Sequence, residues 1–261
     1  MAHDSDSPRI GCVKYLNARP LAYGWRGEIA YDHPAALCAR LAAGHLDVAL
    51  VSSFEFLRNP IYTIVDGVSI SSDGPVWSVF VAHAGDWSAV HEIEIDSASQ
   101  TSVHLLRCLL AGSEQTIRSP GKESNEMSPL PHGQGRLLIG DQAIHFRQKF
   151  GDEYCYWDLG AEWQRLTGLP FVYALWFIRP EVADAPNLAS KLRARRDANL
   201  ARLDGVIAAQ REFDPAFCEF YYKRCLRFSF GAREKEGLKL FESLCEKNKI
   251  LPEAARDFRF V

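Results

Sequence analysis

The sequence predicts an α/β protein built from βα units around a largely parallel sheet. Two observations carry this expectation. Through the first half, apolar runs of strand length alternate with helix-patterned segments, and the same alternation then returns in a second block. Size and composition agree: 261 residues, 47% hydrophobic and 24% charged, can bury a core without staples, in one large or two modest domains.

The elements follow in order. RIGCVKYL (9–16) reads as a strand and RPLAYGW as a short helix. EIAYD (28–32) is a second strand, and PAALCARLAAG (34–44) a helix ended by a glycine. DVALV (47–51) is a buried strand, followed by the short helix SSFEFLRN. YTIVDGVSI and VWSVFVAH are strands joined through the turn SSDGP. In the second block, HEIEID (91–96) and LLIG (137–140) are strands, and TSVHLLRCLL and DQAIHFRQKF are helices. The polar, Gly- and Pro-rich stretch 112–136 reads as irregular surface.

From about residue 187 the pattern is helical. Its basic cluster, Lys191, Arg193, Arg195, Arg196 and Arg202, reads as a solvated helix face, because acids are interleaved and the net charge is −3. No nucleic-acid partner is expected. Seven cysteines without a C-x-x-C pair suggest free thiols in a reducing compartment. The opening MAHDSDSPRIG has no apolar signal region, and no stretch approaches the roughly 18 apolar residues of a membrane helix. A cytoplasmic location away from membranes is therefore expected.

The usual catalytic signatures are missing. There is no H-E-x-x-H, G-x-S-x-G, G-x-x-x-x-G-K, or G-x-G-x-x-G after a strand. The histidines have no metal spacing and read as core or surface residues, His104 inside a helix pattern. No metal or cofactor is expected. Several strands instead end in a polar patch that opens a helix: Asn17, Ser52-Ser53, SASQTS (97–102) and Asp141. Ligands of open α/β sheets bind beyond the carboxyl ends of strands, and helix starts favour anions. Two such sites could hold a dicarboxylate without a cation, each helix end contributing roughly 0.3–1 kcal/mol.

Each patch has a plainer reading. Asn17 before Pro20 suits a helix cap, and Ser52-x-x-Glu55 matches a capping box. SASQTS has four hydroxyls where one cap needs one, which favours ligand contact by Thr101 and Ser102. Ser78, inside the apolar run VWSVFVA, faces a ligand or bonds backbone with about equal merit.

KYLNARPLAYG, DVALVSSFEFLRN, SISSDGPVWSV, DSASQTSVHLL, LLIGDQA and DLGAEWQRLTGLPFVYALW together resemble the chorismate dehydratases of the futalosine route to menaquinone, over nearly the whole chain. The resemblance implies a two-lobed fold like the type 2 periplasmic-binding proteins, with mostly parallel sheets flanked by helices and a ligand cleft between lobes. One lobe would comprise 1–85 with 175–261, the other 86–174, with TGLPFVYALW crossing back and Pro170 at the hinge. The implied reaction removes water from chorismate, a dicarboxylate, without a cofactor. Asn17 and Ser78 would be its catalytic residues, and Ser52, Ser99, Thr101, Ser102 and Asp141 would bind substrate. No protein base stands out among Asp73, Asp141 and the histidines, so the substrate's own enolpyruvyl carboxylate is favoured as base. Gln100 stands where the family more often has Arg. Arg19, where an apolar residue is expected, either replaces that charge or is solvated. A non-catalytic cytoplasmic solute-binding protein for a small aromatic or cyclic dicarboxylate is the alternative. The sister enzyme acting on a cyclic futalosine derivative lacks its expected N-terminal motif here.

Overall fold

The computed structural model describes residues 7–95, 100–119 and 127–261. Two five-stranded sheets are built on one plan. The first contains β1 (Ile10–Val13), β2 (Ile29–Asp32), β3 (Val48–Ser52), β4 (Thr63–Ser72) and β10 (Phe171–Ile178), in the order β2-β1-β3-β10-β4. The second contains β5 (Val79–His83), β6 (Glu92–Glu94), β7 (Thr116–Arg118), β8 (Gln134–Ile139) and β9 (Cys155–Asp158), in the order β7-β6-β8-β5-β9.

In each sheet the strand next to one edge runs against the rest: β10 is antiparallel to β3 and β4, and β5 to β8 and β9. The other four share one direction, with β1, β2, β3 and β6, β7, β8 paired in parallel. The sheets are thus mixed, with four of five strands in each running one way as expected and a single reversed strand added. The reversed strand is the crossing in both cases. β5 enters the second sheet directly from the first, and β10 returns to the first.

This pairing also moves the expected lobe boundaries. Val79–His83 was placed with the first lobe but pairs wholly within the second sheet. Phe171–Ala174 was placed with the second but pairs in the first. The chain changes sheets at 73–78 and 168–170, the two polar or Gly/Pro-containing stretches between those strands.

Helices α1 (Arg19–Ala22), α2 (Pro34–Ala42) and α3 (Ser53–Arg58) follow the strands of the first sheet. α4 (Thr101–Leu109), α5 (Gly140–Phe150) and α6 (Leu159–Thr167) belong with the second. The C-terminal set is α7 (Ala185–Ala201), α8 (Leu203–Ala208), α9 (Pro215–Phe220) continued by a π-turn over Tyr221–Cys225, and α10 (Ala232–Lys247). β10 is buried at every position and reads as a continuous apolar run, as a central strand covered on both faces should. The chain end lies along the outer strand β4, where the Ile64 N–H donates to the Arg259 carbonyl and the Val261 N–H to the Ile64 carbonyl, so that edge is covered.

The basic face of α7 is not simply solvated. Arg193 donates to the Val261 carbonyl at 2.8 Å, and Arg196 to the carbonyls of Gly67 and Phe228 at 2.6 and 2.9 Å. These guanidinium groups fasten α7 to the end of the chain and to the bend within β4. All seven cysteines are free, with Cys108 of α4 and Cys245 of α10 in contact at 3.8 Å between sulfurs. Among the described residues no helix is long and apolar enough to cross a membrane.

Gly237 lets α10 lie on the crossing segment. A Cβ there would sit 2.1 Å from the Pro170 carbonyl oxygen, which is backbone and cannot swing aside. Gly237→Ala is expected to lower the free energy of unfolding by about 1–3 kcal/mol in urea titration. Gly205→Ala, inside α8 with nothing within 4 Å, is expected to raise it by about 0.5–1 kcal/mol.

Candidate active site

A cleft of about 600 Å3, counting its mouth, opens between the two sheets. Val13, Ser52 and Ile139, the last residues of β1, β3 and β8, all line it, as do Val79, Tyr173 and Ala174 of the two crossing strands. This is the carboxyl-end placement that open α/β sheets give their ligands. Tyr15, Asn17, Ser78, Gln100, Thr101, Ser102 and Gly140 supply most of the remaining wall. No lining side chain among the described residues is charged.

Asn17 lies in a short 3-10 turn, Leu16–Ala18, and makes no capping hydrogen bond. Its Oδ1 is buried and has no hydrogen-bond partner. The capping reading of Asn17 therefore fails, because the chain turns into α1 through Ala18 and Pro20 instead. The turn is held from the flanking peptide. The Leu16 N–H donates to Asp141 Oδ1 at 2.8 Å, and the Leu16 carbonyl accepts from Tyr222 Oη at 2.9 Å. Asn199 closes α1 by donating to the carbonyls of Pro20 and Tyr23.

Ser78 sits opposite, just before β5, and is fully buried. Its Oγ shares a 2.6 Å hydrogen bond with Tyr221 Oη, and its carbonyl accepts from the Gly140 N–H at 2.8 Å. The preceding Trp77 has φ of 70°, a left-handed conformation uncommon for a bulky residue. Asp158 holds it there, accepting from the N–H groups of Val76, Trp77 and Ala161 at 3.1, 2.8 and 3.0 Å. Arg147 lies 4.2 Å over the Trp77 ring.

Ser52 and Thr101 share a short hydrogen bond across the base of the cleft, joining the end of β3 to the start of α4. Thr101 Oγ1 also donates to the Tyr173 carbonyl at 3.2 Å. The capping box expected at Ser52-x-x-Glu55 is not formed. Ser52 makes no cap bond, and Glu55 turns to Arg58 and Tyr62. Ser102 lines the cleft in the first turn of α4. Ser99 lies outside the described residues. The first N–H groups of α4 and α5 have no acceptors within their helices and are the electropositive ends nearest the cleft. Gly140 opens α5 at φ of 58°, with the Tyr15 ring where a side chain would stand.

Asp141 is set behind the wall, gripping Leu16, not among the lining residues. Burial pushes its carboxyl up to about 6, against the lowering by the Leu16 N–H. The folded protein therefore holds this proton more tightly than the unfolded chain does. Stability through this group is full near pH 4 and declines as pH rises to about 6. Asp141→Asn is expected to flatten that decline, worth at most about 3 kcal/mol, in unfolding titrations from pH 4 to pH 7. Arg19 donates to the Ala209 carbonyl at 3.2 Å and is half-buried, so it neither lines the cleft nor is freely solvated. Gln100 does line it, with Oε1 buried and unpartnered. His104 stacks on Phe54 at 3.8 Å, and burial, followed by Arg107 and Arg58, pushes it down to about 4. It is a neutral packing residue near pH 7. No group of three or more His, Cys, Asp or Glu among the described residues could hold a metal ion.

Sequence reasoning missed Tyr221, Tyr222, Asp158 and Asn199, which hold the site from behind. Of these only Asp158 carries a signal, as the residue that opens the quoted stretch DLGAEW.

Two sheets of identical strand order, joined by two reversed crossing strands around a cleft whose described lining is apolar with a few uncharged polar groups, define a protein of the two-lobed periplasmic-binding-protein fold. Solved structures agree on this fold. A protein of Archaeoglobus fulgidus superimposes with a TM-score of 0.73 at 15% identity, covering 95% of this chain and 100% of its own. The periplasmic aliphatic sulphonate-binding protein SsuA of Escherichia coli gives 0.63 at 12% identity, covering 95% and 89%. The chain belongs to the menaquinone biosynthesis family, whose model matches residues 8–247. It is similar to the chorismate dehydratase of Thermus thermophilus, 29% identical over 254 residues, covering 89% of this chain and 93% of that one. The chorismate dehydratase of Campylobacter jejuni is 25% identical over 235 residues, covering 89% and 91%.

Proposed function

We propose that this protein is a chorismate dehydratase, a carbon–oxygen lyase that converts chorismate to 3-[(1-carboxyvinyl)oxy]benzoate and water for menaquinone biosynthesis. The observation that carries the reading is the pairing of Asn17, whose Oδ1 is buried without a partner, with Ser78 in one cleft whose described lining carries no charge. Similarity to dehydratases over about nine-tenths of the chain supports it.

The chemistry suits such a site. Chorismate loses the proton on C3 and the hydroxyl on C4, and the ring becomes aromatic. The driving force is in the substrate, so the protein's work is binding and orientation. The first turns of α4 and α5, with the hydroxyl of Ser102, would receive the carboxylates, and Thr101 would hold the start of α4 in place through Ser52 and the Tyr173 carbonyl. Asn17 and Ser78 would hydrogen-bond the reacting region, where the C4 oxygen gathers negative charge as it departs. The C3 proton passes to the enolpyruvyl carboxylate of the substrate, and that carboxyl then gives it to the departing C4 oxygen, which leaves as water. Among the described residues the wall offers no carboxylate, imidazole or amine side chain as a competing base.

Incubation of the purified protein with chorismate, followed by liquid chromatography with mass detection, tests this directly. A product lighter by one water is expected. Tight binding of chorismate without turnover would instead assign a solute-binding role, and neither binding nor turnover would refute chorismate as the ligand.

A further inference from the structure

We propose that the adjacent tyrosines Tyr221 and Tyr222 are positioning residues that together set the two sides of the reacting site. Their place in the fold makes this possible. They open the π-turn Tyr221–Cys225, in which the Leu226 N–H bonds to the Tyr221 carbonyl five residues back. Such turns are rare and occur disproportionately at functional sites.

From this one turn the two hydroxyls reach different sheets. Tyr221 Oη meets Ser78 Oγ at 2.6 Å, immediately before β5 of the second sheet. Tyr222 Oη donates to the Leu16 carbonyl at 2.9 Å, in the loop that leaves β1 of the first sheet and carries Asn17. Both tyrosines are buried, and burial pushes both phenols well above their ordinary value, so they act as neutral hydroxyls at any working pH. Ser78 has one proton to give. With Tyr221 donating to its Oγ, that proton is free to point into the cleft toward a departing oxygen. Tyr222 in turn completes the grip on the Leu16 peptide that Asp141 begins from the N–H side. A one-residue shift of the π-turn would remove both contacts at once.

The plain alternative is that the two rings only fill the core. Tyr221→Phe and Tyr222→Phe keep the rings and remove only the hydroxyls, which separates the readings. The inference rests on Asn17 and Ser78 acting on chorismate, so the experiment has two independent readouts. In steady-state turnover of chorismate, each variant is expected to lose about 10- to 100-fold in kcat with KM nearly unchanged, since the contacts orient reacting groups without touching substrate. Tyr221→Phe combined with Ser78→Ala, and Tyr222→Phe combined with Asn17→Ala, should each be little worse than the more severe single variant. In crystal structures of the unliganded variants, Ser78 should leave its side-chain position in the first, and residues 16–18 should shift in the second. Wild-type kcat in both variants overturns the proposal, as do effects that multiply in the double variants or site residues that stay in place. If the wild-type protein fails to convert chorismate, the functional reading falls, and the crystal structures alone decide the positioning role.

Discussion

Asn17→Ala is expected to lower kcat for chorismate by roughly 10^2- to 10^3-fold, the range seen when one preorganised hydrogen-bonding group is removed from a transition state. The same variant should unfold at the same temperature as the wild type or slightly above it. The reason is in the bonding: Asn17 makes no capping bond, and its Oδ1 has no partner. Deleting a buried acceptor that nothing satisfies removes a cost and no gain. Loss of activity without loss of stability is the signature of a group held ready for a ligand. Asn17→Asp is the informative companion, since it keeps the shape and puts a negative charge in a cleft meant for a dianion. Its KM should rise, whereas that of Asn17→Ala should move less. Steady-state kinetics and thermal unfolding on the same preparations check both. Retention of kcat within about threefold in Asn17→Ala would remove this residue from the reaction.

The sequence carried the elements better than their connections. β3 and α3 were legible because DVALV is a clean apolar run and Ser52-Ser53 marks the change of period. The reversed direction of β5 and β10 was not legible. An apolar strand buried on both faces reads alike whichever way it runs, and only its partners fix the direction. The lobe boundaries failed for the same reason.

The cleft was legible where polar residues interrupt apolar patterns, as at Asn17, Ser78 and Thr101. Those side chains all line it. Asp141 announces itself the same way, yet its carboxylate turns back to a backbone N–H, a choice made by the loop at Leu16, 125 residues distant in sequence. Local signals mark that a helix start is polar and say nothing of which way the side chain faces. Arg193 and Arg196 make the complementary point. Their charge pattern suggested solvent, but the carbonyls they satisfy belong to β4, to the stretch before α10 and to the end of the chain.

Asp158 should be the residue whose loss does most damage to the fold of the site. Burial pushes its carboxyl up, while the N–H groups of Ala161, Trp77 and Val76 pull it back down. Two of those donors lie on the crossing segment and one in α6, so a single side chain ties the sheet crossing to the helix it caps. Asp158→Ala leaves three donors without their acceptor, each worth about 1–3 kcal/mol where it stays buried. The Ala161 N–H among them is the helix cap, worth about 1 kcal/mol. A total loss of about 3–5 kcal/mol in the free energy of unfolding is expected by urea titration. The functional consequence is separate. Trp77 keeps its left-handed φ only while something holds it, and relaxation there would carry the neighbouring Ser78 out of line. Well below the unfolding transition, Asp158→Ala should therefore still lose about 10-fold or more in kcat. Asp158→Asn should fall between, because one amide oxygen can serve Ala161 and Val76 while its NH2 faces the Trp77 N–H. An Asp158→Ala protein within about 1 kcal/mol of wild type would mean that the crossing is held by its packing, with Arg147 over the Trp77 ring as the foremost contact.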